Sequence, residues 1–286
     1  MTGTFQAACV QVTAGRELAP NVETAMRLGR EARRMGAEFI TYPENVTMIE
    51  PIGAEAIKKA LPEAEHPAIP AFRALARETG AWILAGSLSI RAGEKKYANR
   101  SLLFDAAGNI VARYDKLHLF DVDLAGGERY RESERIEPGA RAVVAPTPWG
   151  LLGMTICYDV RFPQLYRALA NAGAFMFTVP AAFTEQTGRA HWHILNRARA
   201  IECGAFVIAA AQCGTHAQGR RTFGHSLIVD PWGEVLAEGG ESEGVIVAEI
   251  EPAKSAEARR RIPSLQHDRA FAGPEVVAIP AKDAAE

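Results

Sequence analysis

The chain has 286 residues, 48% of them hydrophobic, enough for a large packed domain and contrary to disorder. Its 32 basic and 34 acidic residues leave a net charge of -2, so bulk electrostatics do not draw it to nucleic acid or an anionic membrane, and a small-molecule partner is expected. No stretch approaches the roughly 18 apolar residues of a transmembrane helix, the N-terminus lacks an export signal, and the four scattered cysteines form no C-x-x-C pair; a cytoplasmic protein is expected.

In chain order, residues 5–12 alternate and carry small and β-branched side chains, which predicts a buried strand. A helix follows from about Asn21, with Val22, Ala25, Met26, Gly29 and Ala32 at helical spacing and Gly36 as terminator. Strand is predicted at 38–41, helix at 68–78, strand at 82–90, and a hairpin over 101–114 whose turn is the Ala-Ala-Gly-Asn of 106–109. The second half repeats the grammar, with strands at 142–145, 150–156, 174–179, 206–211, 226–229, 235–237 and 245–250 and helices at 164–172 and 192–203. Near-continuously apolar strands need cover on both faces, and alternating helices supply it. These features predict a four-layer α-β-β-α sandwich of the α/β class, one domain over 1–280, with 281–286 a flexible tail.

Three residues stand out for chemistry. Cys157 closes the apolar run 151–156 just before a turn and a helix, where rigid placement and a helix's positive end would favour a reactive thiolate. The competing reading is a buried inert cysteine, which Cys9, Cys203 and Cys213 receive. Glu44 follows a strand in YPEN (42–45), where apolar neighbours would fit a carboxylate for general acid–base work, although a solvated loop acid is the commoner case. Lys116, in YDKLHLFD (114–121), would need a counter-charge and could stabilise an oxyanion, or could snorkel from a strand end. The pair His191 and His193 raises metal hydrolysis, but residues two apart on a helix face different sides and no third ligand joins at helical spacing; no metal is expected.

Together, YPEN, YDKLHLFD and CYDVRFP (157–163), in this order, closely resemble the signature segments of the nitrilase superfamily of carbon–nitrogen hydrolases. The resemblance runs over nearly the whole chain. Through the segments at 197–214, 223–240 and 261–269 it is closest to the branch of omega-amidases and deaminated glutathione amidases. It implies a Glu-Lys-Cys triad of Glu44, Lys116 and Cys157, and a second glutamate at Glu132, with Glu128 a nearby competitor. It further implies that Tyr158 contributes its backbone N–H to an oxyanion and that Ala182 and Phe183 line the substrate pocket. Arg161 would either bind a substrate carboxylate or pair with Asp159 or a carbonyl, and the basic loop 214–221 would either meet an acidic substrate or be solvated.

The expected activity is hydrolysis of a small carboxylate-bearing amide, deaminated glutathione or an omega-amide of a dicarboxylic acid, to acid plus ammonia through a cysteine thioester. An N-carbamoyl amino acid or a nitrile on the same triad is the alternative. No cofactor is expected, and the resemblance implies a homodimer or larger homo-oligomer.

Overall fold

The computed structural model describes residues 3–276; the expected tail at 281–286 lies outside the described residues. In chain order the strands are β1 (Phe5–Gln11), β2 (Phe39–Thr41), β3 (Trp82–Leu84), β4 (Leu88–Arg91), β5 (Tyr97–Phe104), β6 (Ile110–Asp115), β7 (Asp121–Asp123), β8 (Arg129–Arg131) and β9 (Val143–Thr147), followed by β10 (Gly150–Met154), β11 (Met176–Thr178), β12 (Phe206–Ala209), β13 (Cys213–Thr215), β14 (Arg221–Phe223), β15 (Leu227–Val229), β16 (Val235–Glu238) and β17 (Gly244–Ile250). The helices are α1 (Leu18–Arg34), α2 (Gly53–Lys59), α3 (Ala68–Thr79), α4 (Pro163–Asn171), α5 (Glu185–Cys203) and α6 (Pro252–Arg261).

One sheet runs β17-β1-β2-β3-β5-β4, with β6 also on β5; the other runs β16-β15-β12-β11-β10-β9. Each is built on three parallel strands, β1-β2-β3 and β10-β11-β12, whose crossovers carry helices, and antiparallel strands extend both. The period-two alternation of β1 divides its side chains between two cores. Phe5, Ala7 and Cys9 join Leu152, Met154 and Phe177 in the core that spans both sheets, while Ala8 and Val10 pack on α1 and α3 through Leu28, Phe72 and Leu75. With α4 and α5 against β10, β12 and β15 on the far side, the layers are α-β-β-α, as the alternating pattern predicts.

The differences from the sequence expectation have local causes. The strand expected over 82–90 is two strands, because the chain turns sharply at Gly86, which has φ +58°. A Cβ there would lie 2.0 Å from the carbonyl oxygen of Pro43, so only glycine allows this approach. Helix α5 starts at Glu185 rather than 192, since Thr184 caps it by accepting the Thr187 amide at 3.3 Å. The ribbons β7/β8 and β13/β14 are too short and polar to register as strands in sequence.

Candidate active site

The ends of the two parallel triplets converge, and the expected residues meet there. Glu44 lies in the turn after β2, where Asn45 adopts φ 55° and its amide donates to Ser87 Oγ at 2.9 Å. The carboxylate is buried. Its Oε1 accepts from Lys116 Nζ and from Asn99 Nδ2, each at 2.8 Å, and its Oε2 accepts from the Ala182 amide at 3.0 Å. Burial, the largest single influence, pushes this carboxyl up, but the Lys116 ammonium, joined by Cys157 and Arg220, more than offsets it and holds the carboxyl below its ordinary value.

Lys116 ends up at the close of β6, fully buried between two acids. Its Nζ donates to Glu132 Oε2 at 2.8 Å as well as to Glu44, and Glu132 also takes the Phe120 amide at 2.9 Å. Burial opposes the charge of Lys116, yet Glu132 and Glu44 together raise its pKa well above the ordinary lysine value. Of the two competing glutamates, Glu132 therefore adjoins the lysine, whereas Glu128 is exposed and accepts from Tyr130 Oη at 3.0 Å.

Cys157 lies just beyond β10 with φ 50°, a left-handed conformation uncommon outside glycine and costing about 1–3 kcal/mol where it is enforced. It is held there by its amide, which donates to Pro180 O at 2.8 Å, and by the short 3-10 turn that follows (Cys157–Arg161). Burial pushes the thiol well above its ordinary value, the Glu44 carboxylate pushes it further, and Lys116 only partly offsets them. This corrects the sequence expectation of a thiolate favoured by a helix end. The resting group is a thiol, with a carboxylate in place to receive its proton.

One buried acid ties these segments together. Asp159 Oδ2 accepts from Tyr114 Oη at 2.6 Å and from the Ile156 amide at 2.8 Å, and its Oδ1 accepts the His118 amide at 3.1 Å while lying 2.7 Å from His118 Nδ1. The His118 ring stacks on Phe162 at 3.5 Å. The lysine strand and the cysteine turn, which come from different sheets, are thus fixed to each other by side chains within the two motifs that carry them.

A narrow cavity of about 10 Å³ sits over Cys157 and is lined by Glu44, Tyr158, Ala182, Phe183 and Arg220, among others. It shares Phe120, Glu132 and Arg220 with a wide groove of about 740 Å³ bounded by the 128–135 and 217–221 segments. Arg161 is not among the residues lining the cavity. Its guanidinium lies 5.7 Å from the Tyr158 ring and 5.4 Å from the Phe183 ring, and 3.3 Å from His191 Nδ1, while Asp159 is committed elsewhere. Of the readings left open for Arg161, it neither lines the cavity nor pairs with Asp159; it stacks against two lining aromatics and buttresses them.

Sequence reasoning missed Asn99 and reached Arg220 only as one residue of the basic loop 214–221. Asn99 sits mid-strand in β5 with Glu44 as partner, and its signal was a polar residue among buried neighbours. Arg220 donates from Nη2 to Ala182 O at 3.1 Å and lies over Tyr130 at 5.5 Å, and its Nε is buried without a hydrogen-bond partner among the described residues. Its loop, read as either meeting an acidic substrate or solvated, is folded back over the cavity by the left-handed turn at Gln218, φ 59°.

Residues 6–260 match the family model described as carbon-nitrogen hydrolase. The chain belongs to that family, and with the sandwich fold it is a hydrolase of carbon–nitrogen bonds other than peptide bonds. It is 42% identical over 268 residues to the deaminated glutathione amidase of Synechocystis, covering 92% of this chain and 97% of the relative. It is 40% identical over 268 residues to the Homo sapiens deaminated glutathione amidase, covering 92% of this chain and 81% of that one. Among solved structures, the C. elegans NitFhit protein superposes with a TM-score of 0.87 at 37% identity, over 94% of this chain and 66% of that chain.

Proposed function

We propose that the protein is an amidase for a small carboxylate-bearing linear amide of the deaminated glutathione type, with Cys157 as nucleophile, Glu44 as proton carrier and Lys116 as oxyanion donor. The observation that carries the substrate reading is the narrow cavity opening into a wide groove across Arg220. The narrow cavity, with room for about one water, marks where the scissile carbonyl would meet Cys157, and the wide groove has room for the extended part of the substrate. The Arg220 guanidinium at the junction, with a buried unsatisfied N–H, suits a carboxylate. Of the other groove arginines, Arg131 is engaged by Asp123 and Arg189 and Arg221 by Glu185, while Arg135, whose Nε is also unsatisfied, lines the groove but not the cavity over Cys157. The names of the relatives at about 40% identity support the same substrate class.

In the mechanism that follows, the Glu44 carboxylate takes the Cys157 proton as sulfur attacks the amide carbon. The charge of the carboxylate–ammonium–thiol cluster is unchanged by that transfer, so no new charge is buried. Lys116 Nζ and the Tyr158 N–H hold the tetrahedral oxyanion. Glu44 returns the proton to the leaving nitrogen, the carbon–nitrogen bond breaks, and a thioester remains. Water, deprotonated by Glu44, attacks the thioester carbonyl; the acid leaves and the sulfur regains its proton. Glu132 keeps Lys116 charged and oriented between the two acids.

The leaving group depends on the substrate. A primary omega-amide yields ammonia, whereas deaminated glutathione carries its acyl group on a cysteinyl nitrogen and yields a dipeptide amine, which corrects the expectation of ammonia for that case. A cytoplasmic setting is supported by four cysteines that are all unpaired and buried, and no helix among the described residues is long and apolar enough to cross a membrane.

The test is product analysis on amides, nitriles and N-carbamoyl amino acids, scoring acid and amine as well as ammonia. The deaminated glutathione-type amide is expected to have the highest kcat/KM, and Cys157→Ala to abolish turnover. Preference for a nitrile or a carbamoyl compound would overturn the substrate reading. Arg220→Met is expected to raise KM for the carboxylate-bearing amide by about 10- to 100-fold, the loss of one charge-assisted contact. The neutral amide analogue should be unaffected; equal losses on both would remove Arg220 from carboxylate recognition.

A further inference from the structure

Of the histidine pair set aside on helical spacing, His193 acquires partners from elsewhere in the chain. His193 Nε2, on α5, lies 3.0 Å from Glu238 Oε1 at the end of β16, and His225 Nδ1, from the turn before β15, lies 2.8 Å from the same oxygen. The three donor atoms all fall within 4.8 Å of one another. We propose that His193, His225 and Glu238 form a binding site for a divalent cation of the zinc class, outside the amidase cavity, that pins α5 to the β15–β16 hairpin.

The donor set is right for such an ion. Two imidazoles and one carboxylate suit zinc-class metals, while calcium and magnesium would demand an all-oxygen shell. The donor atoms stand within 4.8 Å of one another, so side-chain shifts of about an ångström would assemble the site. Around a tetrahedral ion with bonds of roughly 2.0–2.2 Å, ligand atoms stand about 3.3–3.5 Å apart, so Glu238 Oε1 has to withdraw by about half an ångström. Its side chain, 40% exposed, has the freedom to do so. On binding, the metal takes the positions of the two N–H protons now shared with the carboxylate. Each neutral imidazole accommodates this by moving that single proton to its other ring nitrogen, with no net proton release.

Two further features hold the imidazoles in place. His225 has φ 53°, and its carbonyl is fixed by Trp192 Nε1 at 2.7 Å. Its ring stacks on Phe223 with centroids 4.2 Å apart. His193 stands on α5 and meets the same two rings edge-on. The side chains of His193 and His225 remain 34% and 22% exposed, which leaves an entry path and room for water as a fourth ligand. The structure gains a crosslink between segments 32 residues apart in sequence, His193 and His225, and the Phe223 backbone joins it to Phe183 of the cavity wall through a 3.0 Å hydrogen bond.

The experiment uses full-length protein carrying Cys157→Ala, so that the reactive thiol cannot bind metal, and no affinity histidines. Zinc(II) is titrated by calorimetry and cobalt(II) by its visible absorption. One ion per chain is expected, with the intense cobalt bands of a four-coordinate site and a higher melting midpoint with zinc. His193→Ala, His225→Ala and Glu238→Gln should each weaken binding at least tenfold and remove the midpoint shift. Equal midpoints of variants and parent without metal would establish that the fold is retained, and Glu238→Gln, which keeps the side-chain shape, guards against unfolding in the histidine variants. With Cys157 restored, the variants should retain amidase turnover. Absence of binding by the parent, or unchanged affinity in all three variants, would overturn the site.

Discussion

The chemistry of the centre depends on which of three groups holds the proton. Glu44 is held below its ordinary value of 4.5, while Cys157 and Lys116 are held well above 9.0 and 10.5. The working form, carboxylate with thiol and ammonium, therefore exists across the whole neutral range. For a substrate without ionisations of its own there, kcat/KM is expected to stay flat with pH, falling on the acid side only below about 4.5, as Glu44 protonates. A bell centred in the imidazole range, about 6.5, would overturn this assignment. Stability carries the same sign. A carboxyl depressed by folding contributes stability above its unfolded value and loses it as pH falls through the folded value. Glu44→Gln should lower kcat by about 10³-fold, the usual worth of a general base, and its residual rate should lack the acid limb. The sequence marked Glu44, Lys116 and Cys157 because each sits in a distinctive run. Asn99 contacts the same site from a strand interior, where local composition says nothing of what lies opposite, and Arg220 was legible only as part of a basic loop with two open readings.

At the scale of elements, the decisive feature is the clamp by which Asp159 joins the end of β6 to the turn after β10. Of its four polar contacts, those to Tyr114 and Ile156 are buried and the two to His118 are half-buried. Asp159→Ala would leave the Tyr114 hydroxyl and the Ile156 amide without their acceptor, at a cost of about 3 kcal/mol. It should also lower kcat by about 10²-fold, since the nucleophile and the oxyanion donor would no longer be fixed to each other. Urea unfolding and steady-state kinetics on Asp159→Ala and Asp159→Asn separate the two effects, with partial recovery expected from the isosteric asparagine. A variant that loses stability but keeps kcat would make Asp159 structural only. The long strands and the helices α1, α3 and α4 were legible because an apolar period runs through each. What escaped was fixed by partners distant in sequence. The bend at Gly86 is set by the Pro43 carbonyl, and the β13/β14 ribbon orders the loop that carries Arg220.

For the whole molecule, the two parallel triplets face each other across a shared core, so the centre belongs to neither sheet alone. The outer helical face is less complete. Ile194 and Ile201 on α5 are 69% and 53% exposed, Trp232 is 52% and Ile262 58%. Gly233 lies against Ile201, and Trp232 stacks beneath Arg261 with 4.9 Å to its ring centroid, so Ile201, Trp232 and the end of α6 lie together. Large apolar side chains grouped on a helical face mark an association surface, and a two-fold axis through such a face would let each copy cover the other's. The expected outcome is a homodimer or larger assembly by light scattering, reduced to monomer by the double substitution Ile194→Glu and Ile201→Glu. Neither residue lines the cavity or the groove, so turnover per chain should survive dissociation unless the interface supports the α5 segment beside Phe183. A parent protein that is monomeric at assay concentration would show that this face serves no self-association.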